Sequence, residues 1–204
     1  MTYIIIFLTV IVSIAALRNR TLFDRLSLVP YRVVHDHQWW RLITHGFVHG
    51  DYVHLAVNMF VLLSFGQFIE RFFSAYQQIG LVSNGDLWYL LLYFGGMVAA
   101  SVYDLIRYRN NPRYASIGAS GAVSAVVFAS IFFNPWSKIY LLGVIPIPGI
   151  IFGLLYIGYS SYMGRRQGDR INHFAHLFGA LFGFLFPLLM NPSFFSVFWD
   201  NLTK

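Results

Sequence analysis

The sequence predicts an all-α membrane protein, a bundle of six transmembrane helices with a long first loop embedded at the membrane. Three observations carry this reading. Only 11% of the 204 residues are charged and 57% are hydrophobic, whereas soluble domains carry about 25% charged residues. Apolar runs of spanning or near-spanning length recur six times. Polar side chains that lipid excludes recur at the starts of alternate runs. A single domain over residues 1–204 is expected.

The first run, 2–17, has no basic residue ahead of its apolar stretch. It reads as a membrane helix, not a cleavable signal peptide. The second is 52–73. The third, 87–106, follows the turn signal Ser83-Asn84-Gly85-Asp86. The fourth, 118–133, stops before Asn134-Pro135, the fifth is 149–163, and the sixth, 172–190, ends at Asn191-Pro192. Residues 135–148 hold Pro135, Pro146 and Pro148. Proline disrupts helix interiors, so this stretch is placed at the membrane edge; a longer, kinked fifth helix is the alternative. The segment 18–51 mixes Phe23, Leu26, Trp39 and Trp40 with arginines and histidines. Such a long, aromatic connection is expected to be an ordered, half-submerged substructure.

The chain has no cysteine, which excludes disulfides and thiolate metal sites. Its net charge of +6 is spread along the sequence without a dense basic block. That pattern fits loop charge near lipid headgroups and no nucleic-acid partner.

Six consecutive spans alternate in direction, so helices two, four and six must start on one side of the membrane. Helix two opens with His45, His49, His54 and Asn58 nearby, helix four with Ser120, helix six with His173 and His176. Topology alone brings these groups to one depth, and burying them is costly unless they pair or line a wet cavity. Helix four holds Gly118, Ala119, Gly121, Ala122, Ser124, Ala125 and Ala129, and helix six Ala175, Gly179, Ala180 and Gly183, with His176, Gly179 and Gly183 near one face. Small residues at this spacing let helices approach closely, which would bring Ser120 and His176 within reach. A hydroxyl nucleophile needs a base, most often histidine. No carboxylate is well placed to complete a triad: Asp169 lies in the loop before helix six and Asp104 near the end of helix three. A Ser–His dyad is the simpler expectation. His54 and Asn58, four apart on one face, and the Ser120 backbone N–H would form the oxyanion hole.

At this point the chain resembles the rhomboid intramembrane proteases of the bacterial, six-helix type, over nearly its full length. The matching residues are Trp40-Arg41, the series His49, His54 and Asn58, the run Gly66-x-x-x-Glu70-Arg71, Gly118-Ala119-Ser120-Gly121, and Ala175-His176-x-x-Gly179. The resemblance implies cleavage of single-span membrane substrates within their membrane segment, without metal or cofactor. It implies Ser120 as nucleophile, His176 as base, His54 and Asn58 as oxyanion donors, and His49 in a supporting position. Trp40, Arg41 and Glu70 are expected as structural anchors, and the loop 164–171 as a cap over the site. Some bacterial members carry a tyrosine four residues after the nucleophile, packed on the histidine; here that position is Ser124. The stacking partner is then absent, or supplied elsewhere, for example by one of the phenylalanines. The loops on the site's side hold eleven of the fourteen basic residues, which by charge alone would face the cytoplasm. The resemblance implies the outward face of a bacterial inner membrane, and that is the expectation adopted.

Two rival readings differ in class. A histidine metal site is disfavoured because no Glu follows any of these histidines in an HExxH pattern. A catalytically silent, client-binding member of the same fold would be marked by loss of the serine or histidine, and both are present. His35, His37 and His45 read as loop histidines and His173 as structural.

Overall fold

The computed structural model describes residues 1–141, 143–166 and 171–204. All six apolar runs form helices: α1 (Thr2–Arg18), α5 (Tyr52–Gln78), α6 (Gly85–Tyr108), α7 (Ser120–Phe133), α8 (Gly149–Arg166) and α9 (His173–Met190). Three of them, α5, α6 and α9, are long and apolar enough to cross a membrane, and α1 and α7 are shorter apolar helices. Side-chain caps mark where several begin. Asp51 accepts from the His54 amide at 2.7 Å, Asn84 from Leu87 at 3.0 Å and Asn172 from Ala175 at 3.0 Å. Each satisfies one of the donors that a helix start leaves without a partner.

Helix α7 is the centre of the bundle. Every residue from Gly121 to Phe133 is buried, with α5, α6, α8 and α9 packed around it. Phe60 on α5, Leu154 and Leu155 on α8 and Leu185 and Leu189 on α9 point outward. This apolar exterior around a packed interior suits lipid as the surrounding solvent. The closest approach is between α7 and α9. A Cβ on Gly179 would lie against the backbone of Gly121, and one on Gly183 against the backbone of Ala125.

The first loop is ordered, as its composition predicts. It folds into α2 (Arg20–Leu26), α3 (Pro30–His35), α4 (Arg41–Thr44) and a 3-10 turn over His45–Phe47. Arg41, only 2% exposed, ties it together. Its guanidinium donates to the carbonyls of Asp24 (2.9 Å) and Ser27 (2.5 Å), and to Gln38 Oε1 (2.6 Å). A planar fork with several donors serves diverging acceptors in a way an ammonium does not. Leu28 and Ser116 exchange both backbone hydrogen bonds at 2.9 Å, docking this loop on the segment before α7. The Trp40 side chain is exposed, whereas that of its neighbour Arg41 is buried. Glu70 does not meet the loop. Its carboxylate accepts from the Met1 amine and from the Thr2 amide at 3.0 Å, joining α5 to the start of α1.

Two elements were not expected from the sequence, a β-hairpin and a further helix. Residues 135–148 contain an antiparallel hairpin, β1 (Lys138–Leu141) with β2 (Ile145–Pro148), in which Tyr140 faces Pro146 and Lys138 faces Pro148. In a two-stranded ribbon each strand is an edge, where a residue without an N–H is tolerated. Beyond Asn191-Pro192 the chain forms α10 (Phe194–Thr203). Phe194 is buried and Phe198 stacks on Phe132. Asn201 donates to the Phe133 carbonyl at 2.9 Å, satisfying an acceptor at the end of α7.

Candidate active site

The position of Ser120 is set by a glycine turn. Gly118 has φ +108°, a conformation that side chains disfavour, and an added Cβ would lie 2.9 Å from His54 Cε1. Its amide donates to the His45 carbonyl at 2.9 Å. The next amide, Ala119 N–H, donates to Nε2 of His49 at 3.3 Å. On the other side of that ring, Nδ1 lies 3.1 Å from Ser13 Oγ of α1. Since Nε2 accepts, the proton of a neutral His49 sits on Nδ1 and is donated to Ser13. His49 thus holds the turn one residue ahead of Ser120, which opens α7. The Ser120 N–H has no acceptor within its own helix at that position, and the helix dipole favours negative charge there.

His54 and Asn58 come from the first turns of α5. Asn58 is buried and donates one amide hydrogen to the His54 carbonyl at 2.9 Å. Asn58 also lines the cavity described below. His176 comes from the start of α9, whose cap Asn172 is itself fixed. Asn172 Nδ2 donates to Asp104 Oδ2 of α6 at 2.7 Å and to the Tyr114 hydroxyl at 3.2 Å. The Asp104 carboxylate considered from the sequence therefore holds the helix that bears His176.

Ser120, His176, His54 and Asn58 line one cavity of about 1090 Å³. Its lower walls are apolar, with Val57 and Val61 of α5 on one side and Phe152 and Tyr156 of α8 on the other. Gly121 and Gly179 form the close α7–α9 contact beneath it. Of the expected cap, Gly164 and Ile171 line the cavity, while 167–170, Asp169 included, lie outside the described residues. His173 is buried and meets the His176 ring edge-on at 6.3 Å. His45 is buried, with Nε2 3.1 Å from Ser101 Oγ. Among the described residues no three His, Asp or Glu side chains are grouped to hold a metal ion. The ring that lies along His176 is Tyr156 rather than a phenylalanine, with centroids 6.4 Å apart and planes 18° apart. Asn172 was readable as a cap before an apolar run; Ser13 and Tyr156 carried no signal beyond being one serine and one tyrosine among many.

The buried histidines ahead of α5 make an acid-sensitivity prediction. Burial pushes His45 down to about 4; burial, with the neighbouring His54 ring, pushes His49 down to about 3. An unfolded histidine titrates near 6.5. Below that pH the unfolded chain binds protons that the folded chain refuses. The stability these groups contribute is complete above about pH 6.5 and is lost as pH falls toward 4 and then 3. Thermal melts in detergent should show a constant midpoint above neutrality and a steady fall below it. A midpoint that rises on acidification contradicts the neutral role of His49.

Comparison with known proteins gives the family. Residues 36–193 match the Rhomboid domain family. RHOMBOID-like protein 12, mitochondrial, of Arabidopsis thaliana is 32% identical over 154 residues, covering 68% of this chain and 43% of the relative. RHOMBOID-like protein 4 of the same plant is 34% identical over 79% of this chain and 37% of its own length. RHOMBOID-like protein 6, mitochondrial, is 31% identical over 83% and 50%. The chain spans half or less of the length of these relatives. With a family match across most of its length and a helical fold that carries apolar helices of spanning length, the chain belongs to the rhomboid family and is an integral membrane protein.

Proposed function

We propose that this chain is an intramembrane serine endopeptidase with six membrane spans in a single domain. It cleaves the membrane segments of single-span proteins with a Ser120–His176 dyad and without a cofactor. The observation that carries the reading is the convergence of Ser120, His176, His54 and Asn58, from three separate helices, on one cavity.

The short central helix explains how such chemistry reaches water. Fourteen residues span about 21 Å, less than the roughly 30 Å of a bilayer's hydrocarbon core. Buried among longer helices, α7 starts below the membrane surface, and the cavity above its start gives water a place to collect. His176 takes the Ser120 proton as Oγ attacks the substrate carbonyl. The carbonyl oxygen gains negative charge and is met by Asn58 Nδ2, His54 and the Ser120 N–H. The intermediate collapses, His176 gives the proton to the leaving amine, and an acyl-Ser120 ester remains. Water, deprotonated by His176, attacks that ester and releases the second fragment with Ser120 restored. The apolar walls between α5 and α8 suit a hydrophobic substrate segment beside the dyad.

The test is cleavage of a single-span reporter by purified protein in detergent or liposomes. Wild type should yield two fragments and Ser120→Ala none. A Ser120→Ala variant as active as wild type refutes the reading, and a wild type that binds but never cleaves favours the client-binding alternative. The site is proposed to face outward from a bacterial cell membrane. Because the chain has no cysteine, a single Arg109→Cys change in the exposed segment before α7 reports this. An impermeant maleimide added outside should label it, and labelling only after lysis reverses the orientation.

A further inference from the structure

We infer that Tyr156 of α8, anchored by Ser124 of α7, is the positioning residue for the His176 ring; this rests on the protease reading above. The backbone of His176 is fixed from below by the Gly179–Gly121 and Gly183–Ala125 contacts and at its start by the Asn172 cap. Those contacts leave the torsions of the imidazole itself to be set by its neighbours. Tyr156 supplies a ring almost parallel to it, at 18° and 6.4 Å between centroids. His173 meets the same imidazole edge-on. Offset parallel and edge-to-face pairs at these separations are the favoured aromatic geometries.

Tyr156 is in turn held by a polar bond. Its hydroxyl and Ser124 Oγ share a hydrogen bond of 2.8 Å, and Phe128 and Phe152 pack against its ring at 5.5 and 5.8 Å. Ser124 lies four residues after Ser120, on the same face of α7 one turn further in. The anchor of the positioning ring is therefore built on the helix that carries the nucleophile. Ser124 is buried, and its hydroxyl and that of Tyr156 satisfy one another. Orientation of the base then depends on α8 standing against α7, because the ring belongs to one helix and its anchor to the other.

Tyr156→Leu, Tyr156→Phe, Ser124→Ala and the Tyr156→Phe/Ser124→Ala double variant test this in detergent, beside wild type. Three quantities are read: the rate of covalent labelling by a small fluorophosphonate, kcat and KM on the reporter across pH, and the melting midpoint. Tyr156→Leu should slow labelling and kcat by about tenfold or more, with KM nearly unchanged and the acid limb of the pH profile displaced, as expected for a perturbed general base. Tyr156→Phe and Ser124→Ala should each slow labelling by about threefold, and the double variant no further, because all three break one bond. Folded Tyr156→Leu and Ser124→Ala proteins that label at the wild-type rate with an unmoved pH profile overturn the positioning role while leaving the dyad standing. A folded wild type that does not label removes the protease reading and this inference together.

Discussion

His176→Ala should lower reporter cleavage by about 10⁴-fold or more, the scale on which loss of a catalytic base is felt in serine hydrolases. Ser120→Ala should be at least as severe. Two other candidate groups are already engaged: Asp104 with the α9 cap, and His49 with Ser13 and Ala119. The oxyanion donors should give a graded, smaller loss. One such donor is worth about 2.7–4 kcal/mol, or roughly 10²–10³ in kcat. Asn58→Ala and His54→Ala should each fall near the lower end, since the remaining donors continue to serve the oxygen. Initial rates on the single-span reporter, corrected for folded fraction, check the order of the series. If Asn58→Ala costs as much as His176→Ala with the fold intact, the roles assigned here are wrong.

The second large effect comes from a residue that touches no substrate. Gly179→Ala places a methyl group against the Gly121 backbone, 2.8 Å from its carbonyl carbon, and Gly183→Ala does the same to Ala125. Backbone cannot swing aside as a side chain can, so α9 must move outward. Overpacking of this kind costs about 1–3 kcal/mol. A displacement near 1 Å between reacting groups costs about 10²-fold in rate. Both variants should therefore melt earlier and cleave about two orders of magnitude more slowly. Gly158→Ala on α8 is the control, because nothing lies within 4 Å of the added methyl. Melting midpoints and cleavage rates for the three variants decide the matter. Equal activity in Gly179→Ala and Gly158→Ala would show that the α7–α9 spacing does not set the site.

Hydropathy and small-residue spacing made the main helices legible, because a helix in lipid must be apolar outside and closely packed inside. They also made the α7–α9 pairing legible, since glycines at 121, 179 and 183 serve close approach and little else. The pairing of β1 with β2 was hidden because prolines announce only what a helix cannot be. Helix α10 was hidden behind Pro192, which reads as an end, although Phe194 and Phe198 already lay four apart. Within the site, Ser120, His176, His54 and Asn58 stood out as polar groups in apolar runs. Their supports did not. Tyr156 lies along His176 through a contact between α8 and α9 that no local pattern encodes. Glu70 was read as an anchor from its neighbours in sequence, whereas its partners lie 68 and 69 residues away at the start of α1.

The most direct test of the dyad is the site of covalent modification by a fluorophosphonate. Mass spectrometry of the labelled wild-type protein should place one adduct on the peptide containing Ser120. The adduct should be absent from Ser120→Ala and form far more slowly in His176→Ala, with both variants folded. An adduct on any other residue, or equal labelling of Ser120 without His176, would contradict the account.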